Sequence, residues 1–151
     1  MKLSRALSEG AIQRAHLARG LHVRRTLGYD RNMFSELVLD HFRNPRNTGK
    51  LANATAEVQA TNPVCGDVLE LAVRVEDGAI TEARFLCRGC TTSIACASFL
   101  TERLAGDTLG NARAITAETI SSGLGGLPPA TIHGAQLTAD ALALLLLKLK
   151  Q

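Results

Sequence analysis

An α+β fold, with a small antiparallel three-stranded sheet packed against several helices, is the architecture this sequence predicts. Strand-period segments come first and are joined by a tight turn at Asp77-Gly78, while the period turns helical from Thr91 onward. The bulk composition agrees: 151 residues, 46% apolar and 21% charged, is the balance of one globular domain large enough to bury a core.

Met33–Phe42 reads as an amphipathic helix with Leu37, Val38, His41 and Phe42 along one stripe. Asn44-Pro45 ends it, because the residue before proline disfavours the helical region. Ala54–Ala60 is the first strand, followed by the turn-forming Thr61-Asn62-Pro63. In Asp67–Glu76, Leu69, Leu71, Val73 and Val75 share one face, with Glu70, Arg74 and Glu76 on the other. Ile80–Leu86 alternates Ala83 and Phe85 against Glu82 and Arg84, so Asp77-Gly78 closes a hairpin in a meander.

Three helical stretches complete the chain: Thr91–Ala105, Ala112–Ser121 and Ala135–Lys150, with Gly123–Gly134 as a Gly/Pro loop before the last. Lys148 and Lys150 complement the negative end of that helix's dipole. Its run Ala141–Leu147 is apolar almost all round and is therefore buried, or partly covered by a partner such as a second copy in a homo-oligomer. The run is too short to span a bilayer, and no membrane association is expected.

The formal charge of +3 is unevenly spread. Residues 1–32 hold seven Arg/Lys against Glu9 and Asp30, leaving ten basic and twelve acidic groups for residues 33–151. The basic character belongs to the leader, which is read as a disordered extension or a mis-called start, with an organelle transit peptide as the alternative. The functional domain is then 33–151, cytoplasmic, or in an organelle matrix if the leader is a transit peptide. With 3% aromatics, no Trp and no gathered basic face, nucleic acid is not expected as a partner.

Cys65, Cys87, Cys90 and Cys96 fall within 32 residues, with no secretory signal sequence, a pattern that points to metal or thiol chemistry rather than disulfides. Gly66 lets the backbone turn so that Cys65 and Asp67 can converge on one ion. Cys90 stands where the second long strand hands over to a helix, whose free N–H groups favour a thiolate. His133 lies on the loop before the last helix, and thiolate plus imidazole suits zinc or iron–sulfur iron. Cys87 shares a face with Ala83 and Phe85, so it is a core thiol or a possible additional ligand. Cys96 reads as core, and His16, His22 and His41 have no partner signal.

These residues also carry a resemblance. Asn62-Pro63-Val64-Cys65-Gly66-Asp67, Gly89-Cys90 with Ser93-Ile94-Ala95, and Leu127-Pro128-Pro129 leading to His133 look like the NifU/IscU family of iron–sulfur scaffold proteins. Upstream, Asp40-His41-Phe42-Arg43-Asn44-Pro45-Arg46-Asn47 resembles that family's N-terminal helix and its stop. The resemblance implies a SufE/NifU-like α+β fold and a scaffold or carrier without turnover of its own. It would hold iron or a transient [2Fe–2S] cluster at Cys65, Asp67, Cys90 and His133, take sulfur from a cysteine desulfurase and pass the cluster to recipient apoproteins.

Two departures stand out. The family's third cysteine directly follows the histidine, and here that position is Gly134. Scaffolds served by an Hsp70-type chaperone carry Lys soon after Leu-Pro-Pro, where this chain has Ala130-Thr131, which weakens the expectation of that partner. Two further functions stay open: a zinc-bound sulfur acceptor that stimulates a desulfurase, and a degenerate regulatory homologue that makes no cluster. A thiol–disulfide oxidoreductase on Cys87 and Cys90 is disfavoured, because its first cysteine would end a strand rather than open a helix.

Overall fold

The computed structural model describes residues 33–150, so the expectations for residues 1–32 lie outside the described residues. Among the described residues the order is α1 (Glu36–Arg43), β1 (Ala56–Thr61), β2 (Val68–Glu76), β3 (Ala79–Arg88), α2 (Thr91–Leu104), α3 (Leu109–Ala112), α4 (Ala117–Gly123) and α5 (His133–Leu149). The sheet is antiparallel in the order β1-β2-β3, as the alternation requires. Asp77 and Gly78 both have positive φ (53° and 78°), the backbone of a two-residue hairpin turn with the strands' own twist.

Register decides what faces inward. Ala60 pairs with Leu69 and Leu69 with Cys87, then Val58 with Leu71 and Leu71 with Phe85. Those positions share the face covered by α2 and α5, so Leu69, Leu71 and Val73 are fully buried. Burying a side chain of this size contributes roughly 1.5–3 kcal/mol. The segment after α1 runs along the free edge of β3, where Phe85 N–H donates to Asn47 O (3.0 Å) and Gly49 N–H donates to Phe85 O (2.9 Å).

Four local expectations shift. The helix expected at Met33 starts at Glu36, because the Ser35 side chain caps it by accepting from Val38 N–H at 3.1 Å. Its buried residues are then Val38, Leu39 and His41, while Leu37 turns outward at 49% exposure. The single helix expected over Ala112–Ser121 is two, because Thr108 and Thr116 each cap a separate start. A 3₁₀ turn, Pro129–Thr131, with proline at its first position, precedes α5, so the last helix begins at His133 and not at Ala135.

By length and composition Pro129–Leu149 would pass for a membrane span, with mean hydropathy 1.4. One face packs as a core helix does, with Leu137, Ala141, Leu142 and Leu145 buried against α2 and the sheet, while Leu144 and Leu147 of the run expected to be buried are 44% and 59% exposed.

Candidate metal centre at the end of the sheet

Three chain segments meet where β2 begins, β3 ends and α5 begins. The first is the loop 62–67. The Asn62 side-chain oxygen accepts from Val64 N–H (2.8 Å) and Cys65 N–H (3.3 Å), and its carbonyl accepts from Gly66 N–H (2.8 Å). Gly66 takes a left-handed φ of 79°, which turns the chain between Cys65 and Asp67. Cys65 is left exposed and Asp67 is buried.

The second segment is the β3–α2 junction. Cys90 is the N-cap of α2, and its backbone N–H donates to Asp67 Oδ2 at 3.2 Å. Ser93, one turn into the helix and 1% exposed, donates its hydroxyl to the same oxygen at 2.6 Å. Gly89 makes this approach feasible: a Cβ there would stand 2.8 Å from Asp67 Cγ and Oδ2. The Cys90 sulfur lies 3.1 Å from Thr92 Oγ1 and 3.5 Å from Ser93 Oγ.

The third is the start of α5. His133 Nε2 lies 3.5 Å from the Cys90 sulfur. Ligand atoms of Cys65, Asp67 and His133 lie within 4.8 Å of one another, close enough to share one ion. The structure thus brings together three of the four residues read from the sequence, and the Cys90 sulfur stands beside that trio, against His133.

The electrostatics follow from these bonds. Burial alone would raise the Asp67 carboxyl, but the Ser93 hydroxyl, the Cys90 N–H and the thiols of Cys90 and Cys65 together hold it below the usual carboxylate range. Burial likewise works to raise the Cys90 thiol, and the hydroxyls of Ser93 and Thr92, the Ser93 N–H and His133 outweigh it, so this thiol sits below its ordinary value. Cys87 behaves differently. It is half-buried on the inward face, outside the trio, and burial, with the nearby Asp67 and Cys90 charges, pushes it up to about 12. Cys96 has no exposure and is also pushed up to about 12, chiefly by burial.

Sequence reading missed Ser93 as a partner of Asp67, Thr92 as a partner of Cys90 and Asn62 as the loop's anchor. Asn62 carried a signal, since Asn before Pro is a turn former. Ser93 stood within the Gly89–Ala95 motif, but nothing assigned its hydroxyl to Asp67, and Thr92 carried no signal, because Ser and Thr early in a helix most often serve its own backbone.

Two thiols, an imidazole and a carboxylate at an open sheet end define a domain that can hold a thiophilic metal ion or a small iron–sulfur cluster near solvent. The chain belongs to the NifU-like N-terminal domain family, whose model matches residues 33–150. It is 42% identical over 110 residues to the iron–sulfur cluster assembly scaffold protein IscU 1 of Archaeoglobus fulgidus, covering 73% of this chain and 72% of that one. It is 42% identical over 113 residues to IscU of Escherichia coli K12, covering 72% of this chain and 88% of the relative. The fold matches a NifU-like N-terminal domain from Brucella abortus with a TM-score of 0.66 at 19% identity, over 79% of this chain and 95% of that one. A SufU protein of Fervidobacterium islandicum matches with a TM-score of 0.63 at 21% identity, over 78% of this chain and 99% of that one.

Proposed function

We propose that this protein is an iron–sulfur cluster assembly scaffold that collects iron and persulfide sulfur, which an external electron donor reduces to sulfide, into a transient [2Fe–2S] cluster and hands it to recipient apoproteins. Cys65, Asp67, Cys90 and His133 are the ligands in this reading, and a cysteine desulfurase supplies the sulfur. The observation that carries it is the convergence of Cys65, Asp67 and His133 within 4.8 Å, with the Cys90 sulfur 3.5 Å from His133 Nε2. Family membership supports the same role, because the similar curated proteins bear the name of scaffolds.

The ligand chemistry fits a carrier. Two thiolates bind iron firmly, while a carboxylate and an imidazole are harder and more exchangeable donors. Cys65 is exposed, so one side of the site is open to donor and recipient. Ala130-Thr131 follow Leu127-Pro128-Pro129 where chaperone-served scaffolds carry lysine, which weakens the case for an Hsp70-type chaperone as a partner.

The test is anaerobic reconstitution with ferrous iron, cysteine, a thiol reductant and a desulfurase, followed by absorbance, Mössbauer spectroscopy and transfer to an apo-ferredoxin. Visible charge-transfer bands that disappear as the ferredoxin gains its cluster are expected. One observation favours a second reading, a tetrahedral zinc protein. The Ser93 hydroxyl and the Cys90 N–H both bond Asp67 Oδ2, which favours a one-oxygen carboxylate ligand beside the single donors of Cys65 and His133, with the Cys90 sulfur next to His133. Stoichiometric zinc in protein as isolated, with no cluster after reconstitution, would establish that reading in place of the scaffold. Protein that takes up neither metal nor cluster would leave only the degenerate regulatory homologue.

A further inference from the structure

We infer that Ser93 is a positioning residue for the metal ligand Asp67, and that Gly134 lets α5 lie directly on the first turn of α2, against the backbone that carries Ser93. The inference rests on the proposed reading in one respect, that Asp67 is a ligand. Everything else is geometry within this chain.

The clamp has three parts. Ser93 donates to Asp67 Oδ2 at 2.6 Å and Cys90 N–H donates to the same oxygen at 3.2 Å. Two donors on Oδ2 fix the direction of the carboxylate and favour Oδ1 as the oxygen that meets an ion. Gly89 forms the floor beneath it, with room for no Cβ. On the far side, a Cβ on Gly134 would meet Ser93 N at 2.9 Å and the Thr92 carbonyl carbon at 2.9 Å, both backbone atoms that cannot rotate away. Any side chain at 134 must therefore push α5 off the first turn of α2, or push Thr92 and Ser93 off Asp67.

Position 134 is thus more than a ligand lost. A cysteine placed there cannot simply join the other donors, because its own Cβ occupies the space of the Thr92–Ser93 backbone.

The experiment uses cobalt(II) as the probe, since its visible bands report ligand geometry and thiolate bonding separately, with affinity measured by competition against a chelator. Ser93→Ala is expected to weaken cobalt binding by roughly tenfold, the low end of what loss of a ligand's supporting partner costs. Its ligand-field bands should move while the thiolate charge-transfer band remains. In an Asp67→Ala background the same serine change should leave affinity within about twofold, because coupled residues are non-additive. Equal tenfold losses in both backgrounds would show that Ser93 acts through the fold or through the Cys90 sulfur, 3.5 Å from its hydroxyl, and would overturn the inference, as would an unchanged spectrum and affinity.

Gly89→Ala, which disturbs Asp67 from the other side, should reproduce the spectral shift even if Ser93→Ala folds poorly. Gly134→Cys should add no thiolate intensity and should weaken binding. A third thiolate band with tighter cobalt would refute the role given to Gly134. Wild-type protein that binds no cobalt at all would instead sink Asp67, and the proposed function, as a metal site.

Discussion

His41 and His133 both lie against α2, one on its flank and the other at its start, and their surroundings make them different residues. His41 is 5% exposed, with Nδ1 2.8 Å from Ser98 Oγ and Nε2 3.6 Å from Glu102 Oε1. Ser98 also accepts from Arg46 N–H at 2.9 Å, so one serine ties α1 and the segment after it to the same helix. His133 is half-exposed, with Nε2 on the Cys90 sulfur. The first ring ties α1 to α2 through Nδ1 and Ser98, while the second faces a thiol at the surface. A histidine's role is set by what its nitrogens meet, and one helix carries a structural site on its flank and a chemical site at its start.

The largest contrast lies between the thiols at and behind that start. Cys90→Ser should abolish stoichiometric cobalt or ferrous binding, whereas Cys96→Ala, in the core, should leave it within about twofold, the range of a residue away from the ligands. Equal losses would overturn the division. Alkylation by iodoacetamide near pH 8 should run in the same order. Cys65 and Cys90 should react more than about tenfold faster than Cys87 and Cys96, whose thiols at about 12 hold almost no thiolate. Peptide mass spectrometry reads this directly, and early labelling of Cys87 would place it on the ligand side.

The two histidines should separate stability from binding. His41→Ala leaves Ser98 short of a partner in the core and should lower unfolding free energy by about 2–3 kcal/mol in urea, with metal affinity unchanged in the folded protein. His133→Ala should do the reverse, weakening cobalt binding about tenfold or more with little change in the urea midpoint.

The smallest effect is in pH. Burial and the Arg46 charge hold the His41 pKa below 6.5 in the fold, outweighing Glu102 and Asp40. The unfolded chain therefore binds a proton that the native protein resists. The associated stability is complete above about pH 6.5 and is lost as pH falls toward the lowered folded value. The urea midpoint of apo protein should drop between pH 7 and 5, and His41→Asn should flatten that slope. An unchanged slope would mean that the fold does not lower the His41 pKa.

The predicted Cys87 alternative illustrates what tertiary placement adds. Its alternation with Ala83 and Phe85 pointed inward, and pairing with Leu69 puts it there. Whether an inward thiol at a strand end reaches the site depends on how α2 leaves β3, a matter of three residues whose path no periodicity describes. His133 differs in kind. Its helical position was hidden because Pro129 starts the helical phase early, in a loop whose composition reads as irregular.

By itself the sequence determined the meander, the hairpin turn, the helices that cover one face, and the family, because alternation, turn chemistry and ordered motifs are local. It also determined which residues could bind metal, since only certain side chains can. Tertiary structure decided the rest: that Ser93 holds Asp67 across 26 positions of chain, that Gly134 lies on the backbone of Thr92 and Ser93, and that His41 is sealed while His133 is open. Each of these is a contact between segments distant in sequence. Its energy depends on close packing and on a hydrogen bond directed to a particular oxygen, neither of which leaves a period or a motif to read.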